Sequence, residues 1–236
     1  MTHHSHYSEL AGLFDFPSAG TIQRGFDLLS FLRKNYPEAA TELHTLLDRF
    51  PKKISDQQEL YTRTFDVQAI TTLDIGYVLF GDDYKRAELL SNLTREHKEA
   101  GNDCGIELAD NLPNILRLLP HLSDLALVEE LVNEILVPAL MLMIREFDPE
   151  RAEKKNANYQ KHYKTLIVSA PGSEPTIYNR ALKTLLGVLI KDFPVAERVE
   201  KFADWSNKRS ADFLGSIIKE MEIENNASPT NSGCDS

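Results

Sequence analysis

The chain has 236 residues and carries 26 Lys+Arg against 36 Asp+Glu, a formal net charge of −10, and its length suits one large domain. That negative surplus argues against a nucleic-acid binder, because phosphates are repelled unless a basic patch offsets it, and none stands out. Hydrophobic residues at 42% rule out a disordered chain, and 11 glycines are too few to favour a turn-rich β architecture or a glycine-cradled cofactor site.

The elements follow in chain order. Met1 to Ser8 is polar and has no basic stretch followed by an apolar run, so no secretory signal is expected. His3, His4 and His6 read as a solvated terminus, since loose ligands would pay the ordering entropy of any metal site themselves. Ile22, Phe26, Leu29 and Leu32 recur at helical spacing, with Thr21 as the expected N-cap. Ala40, Leu43, Leu47 and Phe50 repeat the pattern, with Pro37 in the first turn and Pro51 as the stop. Ser55-Asp56-Gln57-Gln58 spells a capping box ahead of Leu60, Tyr61, Thr64 and Phe65. Asp82 and Asp83 sit where a helix start wants negative charge. That helix carries Ala87, Leu90, Leu93 and His97 and stops at Gly101.

Asp110 to Leu119 predicts a short helix with Pro113 tolerated in its first turn. Ser123 opens a long apolar helix, kinked or interrupted at Pro138. The apolar run Ile135 to Ile144 is too short to span a bilayer, so no membrane span is expected. Further helices are predicted from Pro149 through Tyr159, Tyr163 and Leu166, over Ile177, Ala181, Leu185 and Leu189, and from about Val195 to Glu222, with a loop at residues 170–175. Beyond Glu224 the chain is a polar tail expected to be disordered. The fold class is therefore all-α: a single-domain helical bundle of roughly nine to eleven helices over 1–224, followed by the tail 225–236.

No nucleotide-binding glycine loop, nucleophile elbow or H-E-x-x-H occurs. The two cysteines form no C-x-x-C, which fits a reducing, cytoplasmic compartment. His97, on an apolar helix face, reads as a core or boundary histidine. Nothing nominates a catalytic acid or base, a metal site or a cofactor, and the chain reads as a binding protein rather than an enzyme.

The unusual segment is 61–113. Tyr61 to Asp66, Thr72 to Arg86 and Glu107 to Pro113 alternate aromatics with carboxylates, and Gly76 and Gly81 flank Tyr77 to Phe80. Such a groove offers an apolar floor beside an acidic rim, which suits an amphipathic cationic peptide. Each of these residues has an ordinary role available too: Tyr61, Phe65, Leu73 and Phe80 as core, Asp82 and Asp83 as helix-start charges.

These stretches resemble the NarJ branch of the TorD/DmsD/NarJ family of molybdoenzyme maturation chaperones. The resemblance rests on Tyr-x-x-x-Phe-Asp at 61–66, on Gly81-Asp-Asp-x-x-Arg86 after Tyr77, and on Glu107-Leu-Ala-Asp-Asn-Leu-Pro113, where Ala109 replaces a usual proline. Leu10 to Pro17, a helix ending in aromatic-Pro, fits more loosely. The resemblance implies a TorD-like cytoplasmic chaperone that binds the N-terminal, twin-arginine-like peptide of a molybdenum oxidoreductase's catalytic subunit. It implies that the apo-subunit is held for insertion of the molybdenum cofactor, which the chaperone handles at most indirectly. A monomer and a helix-swapped dimer both stay open. On this basis Asp66, Asp74, Asp82, Asp83 and Asp110 are expected to form the acidic rim, and Leu73, Tyr77, Phe80 and Tyr84 the apolar groove. Tyr61, Phe65, Glu107 and Pro113 would support it, and Arg86 would be an internal partner orienting Asp82 or Glu107. The competing readings are a helical hydrolase or metal-binding enzyme built on Asp82, Asp83, Glu107 and Asp110, and an adaptor that binds a folded partner.

Overall fold

Helices punctuated by proline and left-handed glycine set the architecture. The computed structural model describes residues 4–67, 69–151 and 176–193, all within the first of two compact units, 1–195 and 196–236. Among the described residues there is no named strand, and the helices are α1 (His6–Ala11), α2 (Thr21–Asn35), α3 (Pro37–Arg49), α4 (Ile54–Phe65), α5 (Ile75–Phe80), α6 (Tyr84–Ala100), α7 (Leu112–Leu118), α8 (Leu125–Glu130), α9 (Val137–Arg145) and α10 (Tyr178–Asp192). The all-α expectation holds. The helices predicted from Pro149 and from Val195, the loop at 170–175 and the tail lie largely or wholly outside the described residues.

The centre of the bundle is α10 lying along α3, which packs on α2. Ala181, Leu182, Leu185, Val188 and Leu189 of α10 are fully buried, and each large side chain contributes about 1.5–3 kcal/mol. The contact is close because its meeting points are small: a Cβ on Gly187 would lie 3.5 Å from the Ala39 methyl. An ion pair between Arg180 and Glu42 (2.7 Å) fixes the register at one end. At the other, Lys191 donates to the Asn35 carbonyl.

Several predicted boundaries shift for local reasons. Thr21 does not cap α2; Gly20 in the left-handed region takes that place, and the Thr21 hydroxyl accepts from the Ser18 amide instead. The expected capping box at Ser55 is not formed, because α4 begins two residues earlier, with Lys53 in the N-cap position, and Ser55 donates to Asp56. Gln57 turns inward and donates to the Pro51 carbonyl at 2.8 Å. The long apolar helix is capped by Asp124 rather than Ser123, its carboxylate accepting from the amides of Ala126 and Leu127. Pro138 leaves its mark upstream: residues Leu131–Leu136 wind as a π-helix before α9, the wider turn absorbing the amide that proline lacks.

The solvated N-terminus expected for the histidines is corrected at His6. Its Nε2 lies 2.8 Å from Asp192 of α10, and Tyr7 beside it is fully buried.

Candidate functional site

Two of the three unusual stretches are stitched together. The Ile75 amide donates to the Asp110 carbonyl (3.0 Å) and the Leu112 amide to the Leu73 carbonyl (2.8 Å), giving an isolated antiparallel bridge between Asp74 and Asn111. Arg86, reaching from α6, fills the angle behind this clip. Its Nε donates to Asp110 (3.2 Å) and its Nη2 to Asp74 (3.3 Å), and its guanidinium carbon lies 5.2 Å from the centre of the Tyr77 ring. Asn111 completes the group by donating to the other Asp74 oxygen. Gly76 is required here: a Cβ at that position would stand 2.6 Å from the Asp110 carboxylate, a distance no side chain tolerates.

The geometry therefore revises part of the expected rim. Asp110 is fully buried and its Oδ1 has no hydrogen-bond partner among the described residues, so it belongs inside the clip and not on a lip. Burial pushes its carboxyl up, Arg86 pulls it down, and the nearby Asp74 charge adds to the rise. Nor does Asp110 cap α7; Asn111 holds that position. Arg86 is an internal partner as expected, but of Asp74 and Asp110 rather than Asp82 or Glu107. Leu73 and Pro113 are buried as core, and Phe80 and Tyr77 are half-buried. Asp83 caps α6 through the Lys85 amide. Asp82 and Tyr84 stand exposed on the same turn.

A different residue gathers the acidic charge. Burial, and then the carboxylates of Glu107, Asp15, Asp66 and Asp74, push the Tyr61 phenol above its ordinary range. The hydroxyl itself donates to the Phe14 carbonyl at 3.1 Å. Behind Tyr61 lie Phe65 and Tyr178, edge-on at ring-centre distances of 5.1 and 6.1 Å. In front, Phe16 meets Tyr61 edge-on at 5.4 Å and keeps 54% of its surface exposed.

The carboxylates alternate with exposed apolar side chains along the chain: Asp15 precedes Phe16, Asp66 precedes Val67, and Glu107 lies between Ile106 and Leu108, all four apolar neighbours being exposed. Their pairing is unequal. Asp15 is held by Arg117 (2.6 Å) and Asp74 by Arg86. Asp66 and Glu107 are exposed and have no ion-pair partner among the described residues. Asp15, Phe16 and Arg117 were not among the expected site residues. The available signal was the acid-aromatic spelling Asp15-Phe16, the same alternation as in 61–66.

The Glu107 loop is held from below. His97 is buried; its Nε2 lies 3.0 Å from the Ala109 carbonyl and its Nδ1 2.9 Å from the Asn102 amide. Asn102 has only donors to offer at that nitrogen, so Nδ1 accepts and Nε2–H donates, and the ring is neutral. Asn114 donates to the carbonyls of Cys104 and Leu108. Gly101, left-handed at φ 66°, turns the chain into this loop.

Burial holds the His97 imidazole below its ordinary value of 6.5, against the opposing pull of the Ala109 carbonyl. A histidine with a lowered folded value contributes stability that is complete above the unfolded value and lost as pH falls through the folded one. The melting temperature should therefore drop on going from about pH 7.5 to about pH 5.5, and His97→Gln should flatten that slope. Parallel slopes for the two proteins would remove His97 from the account of acid sensitivity.

Among the described residues, no three His, Cys, Asp or Glu side chains form a group able to hold a metal ion. None of the described helices is long and apolar enough to cross a membrane. No family model matches the chain, and no curated protein matches it in sequence.

Proposed function

We propose that this chain is a cytoplasmic maturation chaperone of the NarJ kind. It binds the arginine-bearing N-terminal peptide of a molybdoenzyme's catalytic subunit and holds the apo-subunit until its cofactor is inserted. The observation that carries this reading is the surface around Tyr61, where carboxylates bear on one phenol and exposed Phe16, Val67, Ile106 and Leu108 flank them. Of these carboxylates, Asp66 and Glu107 have no ion-pair partner among the described residues and can take a guanidinium, for which a carboxylate offers bidentate hydrogen bonds.

Magnitudes assign the roles. Exposed ion pairs contribute about 0.2–1 kcal/mol each, so the two free carboxylates select and orient the peptide. Apolar side chains of the peptide supply most of the affinity, about 1.5–3 kcal/mol for each one fully covered. Binding of moderate strength follows, as release of a matured client requires.

Titration calorimetry on the full chain tests this with a synthetic peptide of two adjacent arginines followed by an apolar stretch. Binding should weaken as salt is raised. The double variant Asp66→Asn/Glu107→Gln should lower affinity roughly tenfold without lowering the melting temperature. Unaltered affinity in that variant would take these carboxylates out of the site.

A further inference from the structure

The Tyr61 surface continues into a groove that no expected site residue lines. This groove lies between α1, α2 and α3 and has a volume of about 670 Å³, within the range of about 300–1,000 Å³ typical of ligand sites. Its floor is apolar, with Leu13, Ile22, Leu28, Phe31, Leu47 and Phe50 among its walls. Two side chains belong to both places. Asp15 lines the groove and lies between Phe14, whose carbonyl accepts from the Tyr61 hydroxyl, and Phe16, whose ring meets Tyr61 edge-on. Tyr178 lines the groove and packs edge-on against Tyr61.

The charges at the mouth do not repel a cationic chain. Glu9, Asp15 and Asp27 line it together with Arg24 and Arg117. Arg117 is already neutralised by Asp15. Arg24 is folded back onto its own turn, donating to the Ala19 carbonyl and to the hydroxyls of Ser18 and Thr21. What remains open is an oily channel with a net acidic edge.

We infer that this groove takes the apolar stretch that follows the arginines of the same peptide, with Asp15 and Phe16 as the saddle between the two halves of the site. This rests on the peptide-binding reading above and adds a second subsite and a direction: arginines at Asp66 and Glu107, apolar residues between α1, α2 and α3. Ile22 and Leu13 are half-buried at the groove and are the positions where a polar side chain blocks it with least damage to the core.

The experiment uses the full chain and two peptides that share the arginine pair. One continues with leucines and alanines, the other with serines and glycines. Wild type should bind the apolar-tailed peptide roughly tenfold or more tightly than the polar-tailed one. Ile22→Arg, and separately Leu13→Gln, should bring the first peptide down to the level of the second and leave the second unchanged. Circular dichroism confirms the fold of each variant, and Leu13→Gln carries the test if Ile22→Arg does not fold.

Equal binding of both peptides by wild type, or variants that bind as wild type does, would overturn the groove assignment while leaving the Tyr61 surface standing. Binding of neither peptide would overturn the peptide reading and this inference with it. A wild-type dimer that Ile22→Arg converts to monomer would assign the groove to a second copy of the chain, and overturn the inference as well.

Discussion

Arg86→Ala should destabilise this protein by about 3–5 kcal/mol, the usual cost of removing one partner from a buried ion group. The reason lies in what stays behind. Asp110 is fully buried and its Oδ1 has no partner among the described residues, so loss of the Arg86 Nε bond leaves the carboxylate without a counter-charge among them. Asp74 loses its ion pair in the same step. Because 73–75 and 110–112 are clipped together over this guanidinium, the damage should spread to the bridge and to the Glu107 loop. Denaturant unfolding measures it, with Asp110→Asn as the comparison: an amide oxygen still accepts from Nε, and the cost should be only about 1–2 kcal/mol. Equal losses in the two variants would show that charge compensation is not what Arg86 supplies.

Asp192→Ala should be of similar size, about 3 kcal/mol or more, because three donors lose one acceptor together. His6 Nε2 (2.8 Å), the Tyr7 hydroxyl (2.9 Å) and the Tyr36 hydroxyl (2.7 Å) all point at this carboxylate. Tyr7 is fully buried and finds no water to replace the bond. Burial alone would raise the Asp192 carboxyl, but the bonds from His6, Tyr36 and Tyr7 together hold it below its ordinary value. A carboxyl with a lowered folded value contributes stability that is present above the unfolded value and lost as pH falls through the folded one. The difference between wild type and Asp192→Ala should accordingly shrink in acid. A difference that holds steady from neutral pH down to about pH 3 would contradict this account of the clasp.

What is legible in the sequence depends on the range of the interaction involved. Helix content and most helix limits are local properties. Pro37, Asp83 and Gly101 each act within a turn of their own position and sit where expected. Where two local rules competed, packing decided between them: Ser55 was spelled as a cap, yet Gln57 found a buried partner at Pro51 and the helix began earlier. The resemblance places the Asp110 carboxylate on the acidic rim, and its short-range signal is that of a helix start. Only the fold brings Arg86, 24 residues away, against it.

The Tyr61 surface shows the same division. Tyr61, Asp66, Asp74 and Glu107 were legible as an aromatic–carboxylate set, but the sequence does not say which of them meet. Asp15 and Phe16 come from before the segment that looked unusual, and they join it because the Tyr61 hydroxyl and Gln58 bind the carbonyls of Phe14 and Pro17. Likewise, His6 reads as part of a solvated end because its acceptor, Asp192, lies far along the chain.

The central claim is that an arginine-bearing amphipathic peptide lies on the Tyr61 surface. Hydrogen exchange of the full chain with and without saturating peptide tests it most directly. The prediction is slowed exchange at residues 14–16, 61–67 and 104–108, the segments that carry Asp15, Asp66 and Glu107. Saturated binding with those amides unprotected, or protection confined to other helices, would contradict it.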